Sequence, residues 1–396
     1  MTPVEPVSGQ RVGDPDPYPA YAWLREHAPV SLLFSPYGAG KTWLVTSYDL
    51  AKACLNDPRL SNDSRKARSG PDDAEDEATT RGLLNLDRPE HDRLRGMVSR
   101  AFSPQAVARW RPMIERECHA AIDRFADQTE AELVGDFALP VPVAIIHEVL
   151  GIPREERKDA ARCFDLFFRA GLAQPNEPEP YQELLGYVDH LISYKGRHRG
   201  DDVASLLLDH LDRGELRGTR ELRSMMLGIF GAGHVTTVQF FGAAVLRLLQ
   251  HPDQLADLMA GRVRWSAAIN EILRFDSPIQ ATQHRYAVED MRIGEVQVAK
   301  GDAALISVAA ANRDPDRFDG AARFSIHRPG RPNLAFGHGV HLCLGLHLAR
   351  LEGELGLQIL FRRLPGLRLV IPADEVAWAY GPMLRGPREL PVTLTT

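Results

Sequence analysis

From Pro104 to Ala126 (PQAVARWRPMIERECHAAIDRFA) apolar residues return every three or four positions with charges between them, the spacing that lines one face of an α-helix. The same period recurs over 140–150, 183–195, 201–212, 253–260, 265–274 and 345–363. Two-residue alternation, the mark of a half-buried strand, is confined to short runs. VSLLF (30–34) and TWLVTS (42–47) flank the turn formers SPYGAGK and predict a β-hairpin, while EVQVAKGDAALISVA (295–309) predicts two strands about a Lys300-Gly301 turn. The polar window SNDSRKARSGPDDAEDEATTRG (61–82) predicts a surface loop. There is no repeat at a fixed period and no long linker. The expected fold is mostly α with minor β-sheets, one interlocked domain over 1–396.

Ser224 to Leu246 (SMMLGIFGAGHVTTVQFFGAAVL) is 23 residues without a formal charge, long enough to span a bilayer. His234, Thr236, Thr237 and Gln239 crowd its centre, and nothing else in the chain is similarly apolar. A helix hydrophobic all round that is not in lipid belongs inside a large core, and no membrane association is expected.

Charge and composition narrow the function classes. With 47 Lys+Arg against 53 Asp+Glu the net charge is −6, so nothing global draws the chain to nucleic acid or an anionic membrane. Cys54, Cys118, Cys163 and Cys343 are far apart with no CxxC spacing, as expected of reduced thiols in a cytoplasmic protein. The N-terminus, MTPVEPVSGQRVGDPDPYPAY, has no apolar core of signal-peptide type.

Two glycine-rich segments invite chemical readings. Gly38-Ala39-Gly40-Lys41-Thr42 fails as a phosphate loop, because GxxxxGK[ST] needs glycine where Ser35 stands and strand-like TWLVTS follows instead of a helix. Leu334 to Arg350 (LAFGHGVHLCLGLHLAR) is different: Gly337 and Gly339 permit a tight loop, and Cys343 falls where a long helical pattern begins. A cysteine there meets free N–H groups and the positive end of the helix dipole, which favour a thiolate, a metal ligand or nucleophile.

FGHGVHLCLG resembles the haem-binding loop FxxGxxxCxG of the cytochrome P-450 superfamily, matched at Phe336, Gly339, Cys343 and Gly345. The resemblance implies haem b with Cys343 as axial iron ligand, a thiolate that favours O–O cleavage, and Phe336, Gly337 and Gly345 shaping its surroundings. Other family marks follow in order along nearly the whole chain. Glu271 and Arg274 (EILR) resemble the ExxR pair, a structural lock whose third member would be Arg317 or Arg323. His91 and Arg95 in RPEHDRLRG, Arg285 in QATQHRYA, and His341 resemble the haem-propionate contacts, while Asn333 stands where many relatives carry a histidine. Gly231 to Thr237 resembles the oxygen-activation segment [A/G]Gx[D/E]TT, with Gly233 and Ala232 opening a groove for O2 and Thr236 holding a water or the distal oxygen.

One position departs from that pattern. The acid that usually precedes the threonine is Val235, and a valine relays no proton, although the reaction needs two delivered. His234, a polar group of the substrate, or chemistry less demanding of protons are the three substitutes. His234 is the weakest, since each helical step turns a side chain by about 100°. The family implies a monooxygenase using O2 and two electrons from a separate ferredoxin and ferredoxin reductase to hydroxylate, epoxidise or couple a small organic molecule, an aromatic or peptide-derived scaffold of bacterial secondary metabolism. Arg350, Arg362 and Arg363 are candidates for docking that donor, on a chain expected to be monomeric. Substrate contacts are expected from 61–85, 170–180, the long helix near Gly231 and Ala232 with Phe230, Pro278 to Thr282 (Ile279, Gln280, Ala281), Gln283 and Tyr380 to Met383. The alternatives are a peroxide-driven peroxygenase and a haem protein that senses a ligand without turnover.

Overall fold

The computed structural model describes residues 14–33, 41–66, 82–162, 178–380 and 383–394. In chain order its helices are α1 (Tyr18–His27), α2 (Tyr48–Asn56), α3 (Glu90–Ser99), α4 (Pro104–Ala108), α5 (Arg111–Asp123), α6 (Pro140–Leu150), α7 (Pro178–Arg197), α8 (Val203–Asp212), α9 (Thr219–Gln250), α10 (Pro252–Met259), α11 (Trp265–Phe275), α12 (Val308–Asn312) and α13 (Leu346–Arg363). The strands are β1 (Val30–Leu33), β2 (Thr42–Val45), β3 (Leu60–Ser61), β4 (Glu130–Glu132), β5 (Arg285–Ala287), β6 (Met291–Ile293), β7 (Val296–Val298), β8 (Ala303–Ile306), β9 (Arg368–Leu369), β10 (Trp378–Tyr380), β11 (Arg385–Pro387) and β12 (Pro391–Thr393). The helical period over 104–126 resolves into two helices, α4 and α5. The hairpin loop from Phe34 to Gly40, most of the polar window (67–81), Cys163 and the 170–177 segment lie outside the described residues.

The chain gathers into two compact units, one of residues 1–70, 118–138 and 236–396, the other of 71–117 and 139–235. The first holds a five-stranded sheet ordered β1-β2-β8-β5-β3. β1 and β2 form the expected antiparallel hairpin, with Val30 opposite Val45. The Lys300-Gly301 turn does not join a hairpin: β7 pairs with β6, and β8 instead lies parallel to β2 and antiparallel to β5. Gly301 turns the chain with a φ of 89°, and β8, apolar along its length, is drawn to the sheet centre, where burial outweighs local pairing. Trp43, Val45, Tyr48, Ala51, Leu55, Ala304, Ile306, Val308 and Phe318 build one core beside this sheet. α13 carries Gly353 and Gly356 where side chains would meet Phe240 and Phe241 of α9, so these helices pack at close range.

The second unit is helical. α6 starts with Pro140 at its first turn, where a missing N–H costs nothing, and stops at Gly151, whose φ of 72° only glycine adopts easily. Asp202 caps α8 by accepting from Ser205 N at 2.8 Å and pairs in the interior with Lys195 Nζ at 2.5 Å. α9 runs through both units and carries the uncharged stretch. It is long and apolar enough to cross a membrane, yet 67% of its most apolar window is buried inside the protein.

Candidate active site

Cys343 stands three residues before the first residue of α13, at the end of a loop closed by its own backbone. Gly337 N donates to Leu334 O at 2.9 Å, Leu342 N to Gly339 O at 3.1 Å, and Cys343 N to Phe336 O at 2.9 Å. Those bonds require φ of 74° at Gly337 and 76° at Gly339, left-handed values that penalise any other residue. Cys343 is exposed, Leu342 beside it is 40% exposed, and a side chain on Gly345 would stand 4.0 Å from the sulfur. Cys343 is therefore an exposed cysteine beside Gly345 at the positive end of an 18-residue helix. Cys54, by contrast, is buried and its thiol is pushed up to about 12, mainly by desolvation, so it stays protonated.

The loop is anchored upstream. Asn312 Oδ1 accepts from Leu334 N at 2.7 Å, and Asn333, in place of the histidine of many relatives, donates to Asn270 O at 3.0 Å and accepts from Ala335 N at 3.1 Å. Glu271 and Arg274 form a buried two-bond pair at 2.7 and 2.8 Å, and Arg274 also donates to Asn312 O, Ala321 O and Arg323 O. The third arginine is neither Arg317 nor Arg323. It is Arg328, whose Nε lies 3.2 Å from Glu271 Oε2. Arg323 takes part through its carbonyl, while the Arg317 guanidinium lies over the Tyr48 ring. The chain reverses at Gly320 (φ 59°), and Ser325 N donates to Glu271 Oε1 at 2.9 Å, which carries the later arginine to the carboxylate.

The expected anion-binding cations divide between the units. In the first, Arg285 on β5 is buried and gives Nη1 to Leu55 O at 3.2 Å, and His341 lies half-buried in the Gly339–His341 turn. In the second, His91 and Arg95 are one helical turn apart on α3. His91 is buried, with Nδ1 3.4 Å from Asp92 Oδ1, and desolvation lowers its pKa, so at neutral pH it offers a hydrogen bond and not a charge. An exposed cysteine next to an exposed leucine and a buried arginine in one unit suit an iron porphyrin, a flat apolar group with an axial metal site and anionic edges.

On α9, Ala232 and Thr236 are four apart and share a face; Ala232 is exposed and Thr236 half-buried. Gly233 does not open a groove. Its missing side chain is filled by Ile146 of α6, since an added Cβ would lie 2.5 Å from Ile146 Cδ1. His234 is buried, its Nδ1 sits 3.0 Å from Phe230 O, and two helical steps separate its direction from that of Thr236. Phe230, expected against substrate, is buried between rings: 5.6 Å from His147 and 5.6 Å from His234. Ile279 and Met383 are brought together, because Gln280 N donates to Met383 O at 2.8 Å and Ile279 bridges Leu384. Gln280 itself is fully buried and donates Nε2 to Ser277 O at 2.8 Å, so its amide serves the core; Ala281 is buried beside it, and Gln283 is exposed. Gly381 and Pro382 lie outside the described residues.

The cytochrome P-450 family model matches residues 265–365, from the first residue of α11 through the thiolate loop to the end of α13. Cytochrome P-450 monooxygenase PikC of Streptomyces venezuelae is 36% identical over 384 residues, 95% of this chain and 91% of that protein. The chain is a cytochrome P-450. The 6-deoxyerythronolide B hydroxylase of Saccharopolyspora erythraea is likewise 36% identical, over 96% of each chain. The solved structure of the Bacillus subtilis 168 bacillaene polyketide synthase P-450 PksS superposes with a TM-score of 0.89 at 29% identity, covering 98% of this chain and 99% of that one. This P-450 therefore belongs to a haem-thiolate family, and the relatives it resembles are named monooxygenases and hydroxylases.

Proposed function

We propose that this P-450 holds haem b on Cys343 and oxidises a polyketide-derived scaffold with O2 and two electrons from a ferredoxin and its reductase, as a cytoplasmic monomer in a single domain. The observation that carries it is an exposed Cys343 at the head of α13, in a loop whose glycines at 337 and 339 adopt φ that other residues resist. When bound, the haem supplies oxygen activation. This chain's residues would do the rest: Cys343 would hold the iron, Arg285, His341, His91 and Arg95 would meet the propionates, and Thr236 would hold a water by its hydroxyl. The name of PksS, a P-450 of a polyketide synthase, supports a polyketide over an aromatic or peptide-derived substrate. Ile279, Ala281 and Met383 supply apolar contact. For the redox partner, Arg362 on α13 is exposed, whereas Arg363 is paired with Asp123 at 2.5 Å and Arg350 lies over the Phe336 ring.

The test is spectral, then catalytic. The reduced, carbon-monoxide-bound protein should show the strongly red-shifted Soret band of thiolate ligation, and Cys343→Ala should lose it. Product from polyketide macrolactones with O2 and a ferredoxin system, compared with hydrogen peroxide alone, separates the monooxygenase from a peroxygenase. Ligand binding without cofactor consumption in either arm would leave only the sensor.

A further inference from the structure

Helix α2, met so far through the Leu55 carbonyl and the Tyr48 ring, also meets the chain just before the thiolate loop and the loop itself. At its first residue, Tyr48, the phenolic hydroxyl donates to Pro332 O at 2.9 Å, immediately before the loop begins. The Tyr48 backbone N–H donates to Asp314 Oδ2 at 2.7 Å, and its ring packs edge-on against Phe318 at 5.7 Å, so that end is fixed. At the last turn, a Cβ on Gly339 would fall 2.7 Å from Asn56 Oδ1, 3.1 Å from Leu55 O and 3.4 Å from Asn56 Cα. Gly339 is thus pressed against the end of α2 at the point where its φ of 76° bends the loop toward Cys343. The same Leu55 carbonyl accepts from Arg285 Nη1 at 3.2 Å. One carbonyl at the negative end of a helix therefore bears on both the thiolate loop and a buried arginine.

We infer that α2 is a splint for the Cys343 loop, with Tyr48 and Asn56 as positioning residues that hold the sulfur and the Arg285 guanidinium in one fixed relation. The inference rests on Cys343 being the iron ligand. Helix α2 spans the loop from Pro332 to Gly339, so loosening either end frees the loop to move without removing any group that touches haem. A displaced sulfur is more readily protonated or lost from iron, which the carbon-monoxide spectrum reads directly.

The experiment uses the haem-loaded full chain. Tyr48→Phe deletes one hydrogen bond and keeps the ring, and Asn56→Ala trims a side chain that is exposed on its outer side; Lys52→Ala, on the exposed face of the same helix, is the control. In each variant the reduced carbon-monoxide complex is followed on mild warming, alongside far-UV circular dichroism and the midpoint potential of the iron. The splint predicts that Tyr48→Phe loses the red-shifted band roughly fivefold faster than the parent, the factor set by one neutral hydrogen bond. Asn56→Ala should follow in the same direction with a shifted potential, and Lys52→Ala should match the parent. Folded Tyr48→Phe and Asn56→Ala proteins with the parent's band lifetime and potential would overturn the splint. A parent protein with no red-shifted band would instead overturn the thiolate assignment beneath it.

Discussion

Val235 is the residue at which this P-450 parts from its family's proton relay, and the structure removes the nearest substitute. His234 is buried with Nδ1 against Phe230 O, and desolvation lowers its pKa, so it is neither aimed along the Thr236 face nor charged at neutral pH. Val235 is half-buried, so an acid at that position keeps access to water. If proton supply limits turnover, Val235→Asp should raise product formed per reduced cofactor consumed by about tenfold, equivalent to about 1.4 kcal/mol of barrier. The product-to-cofactor ratio with an accepted substrate measures it. An unchanged ratio would mean that the substrate brings its own polar group, and substrate analogues lacking that group should then uncouple the parent enzyme.

Between elements, the contact at Gly233 shows how a motif residue can be read correctly and still be given the wrong purpose. Its glycine admits Ile146 of α6, 2% exposed, and an alanine there would force Ile146 aside. Gly233→Ala should cost about 1–3 kcal/mol by overpacking. Ile146→Ala alone should cost about 2–5 kcal/mol by leaving a cavity, and the double variant should recover part of the sum, since the new methyl enters that space. Urea unfolding of the four proteins closes the cycle; strictly additive losses would mean that α6 and α9 do not meet at this point. The elements legible from the sequence were those whose limits are set locally. α6 is bounded by Pro140 and Gly151, and the Cys343 loop is marked by glycines at fixed offsets. β8 was misread because its partner β2 lies about 260 residues away, and Arg328 was missed because the reversal at Gly320 has no periodicity to betray it. His147 and the α2 contacts were invisible for the same reason: they depend on which distant surfaces meet.

For the molecule as a whole, two buried ionisable groups set opposing slopes of stability against pH. His147 on α6 is 1% exposed, neither ring nitrogen has a hydrogen-bond partner among the described residues, and desolvation, with smaller contributions from Arg157 and His234, lowers its pKa from 6.5 to about 3. The unfolded chain binds this proton near 6.5 and the folded one near 3, so between those values stability falls as pH falls, by about 1.4 kcal/mol per pH unit. Glu352 on α13 is buried, its Oε2 has no hydrogen-bond partner among the described residues, and desolvation raises its pKa well above 4.5. The folded protein keeps that proton while the unfolded chain releases it, so stability falls as pH rises above 4.5 until the buried carboxyl ionises. Between 4.5 and 6.5 the two slopes oppose each other wherever the buried Glu352 carboxyl still holds its proton, and above 6.5 the His147 slope is gone. His147→Leu should therefore be stabilised relative to the parent by a margin that grows from pH 6.5 downward, whereas Glu352→Gln should gain by a margin that grows from pH 4.5 upward. Urea midpoints at half-unit intervals from pH 5 to 8 would show both trends, and variant curves parallel to the parent across that range would mean that neither side chain is held in its neutral form by the fold.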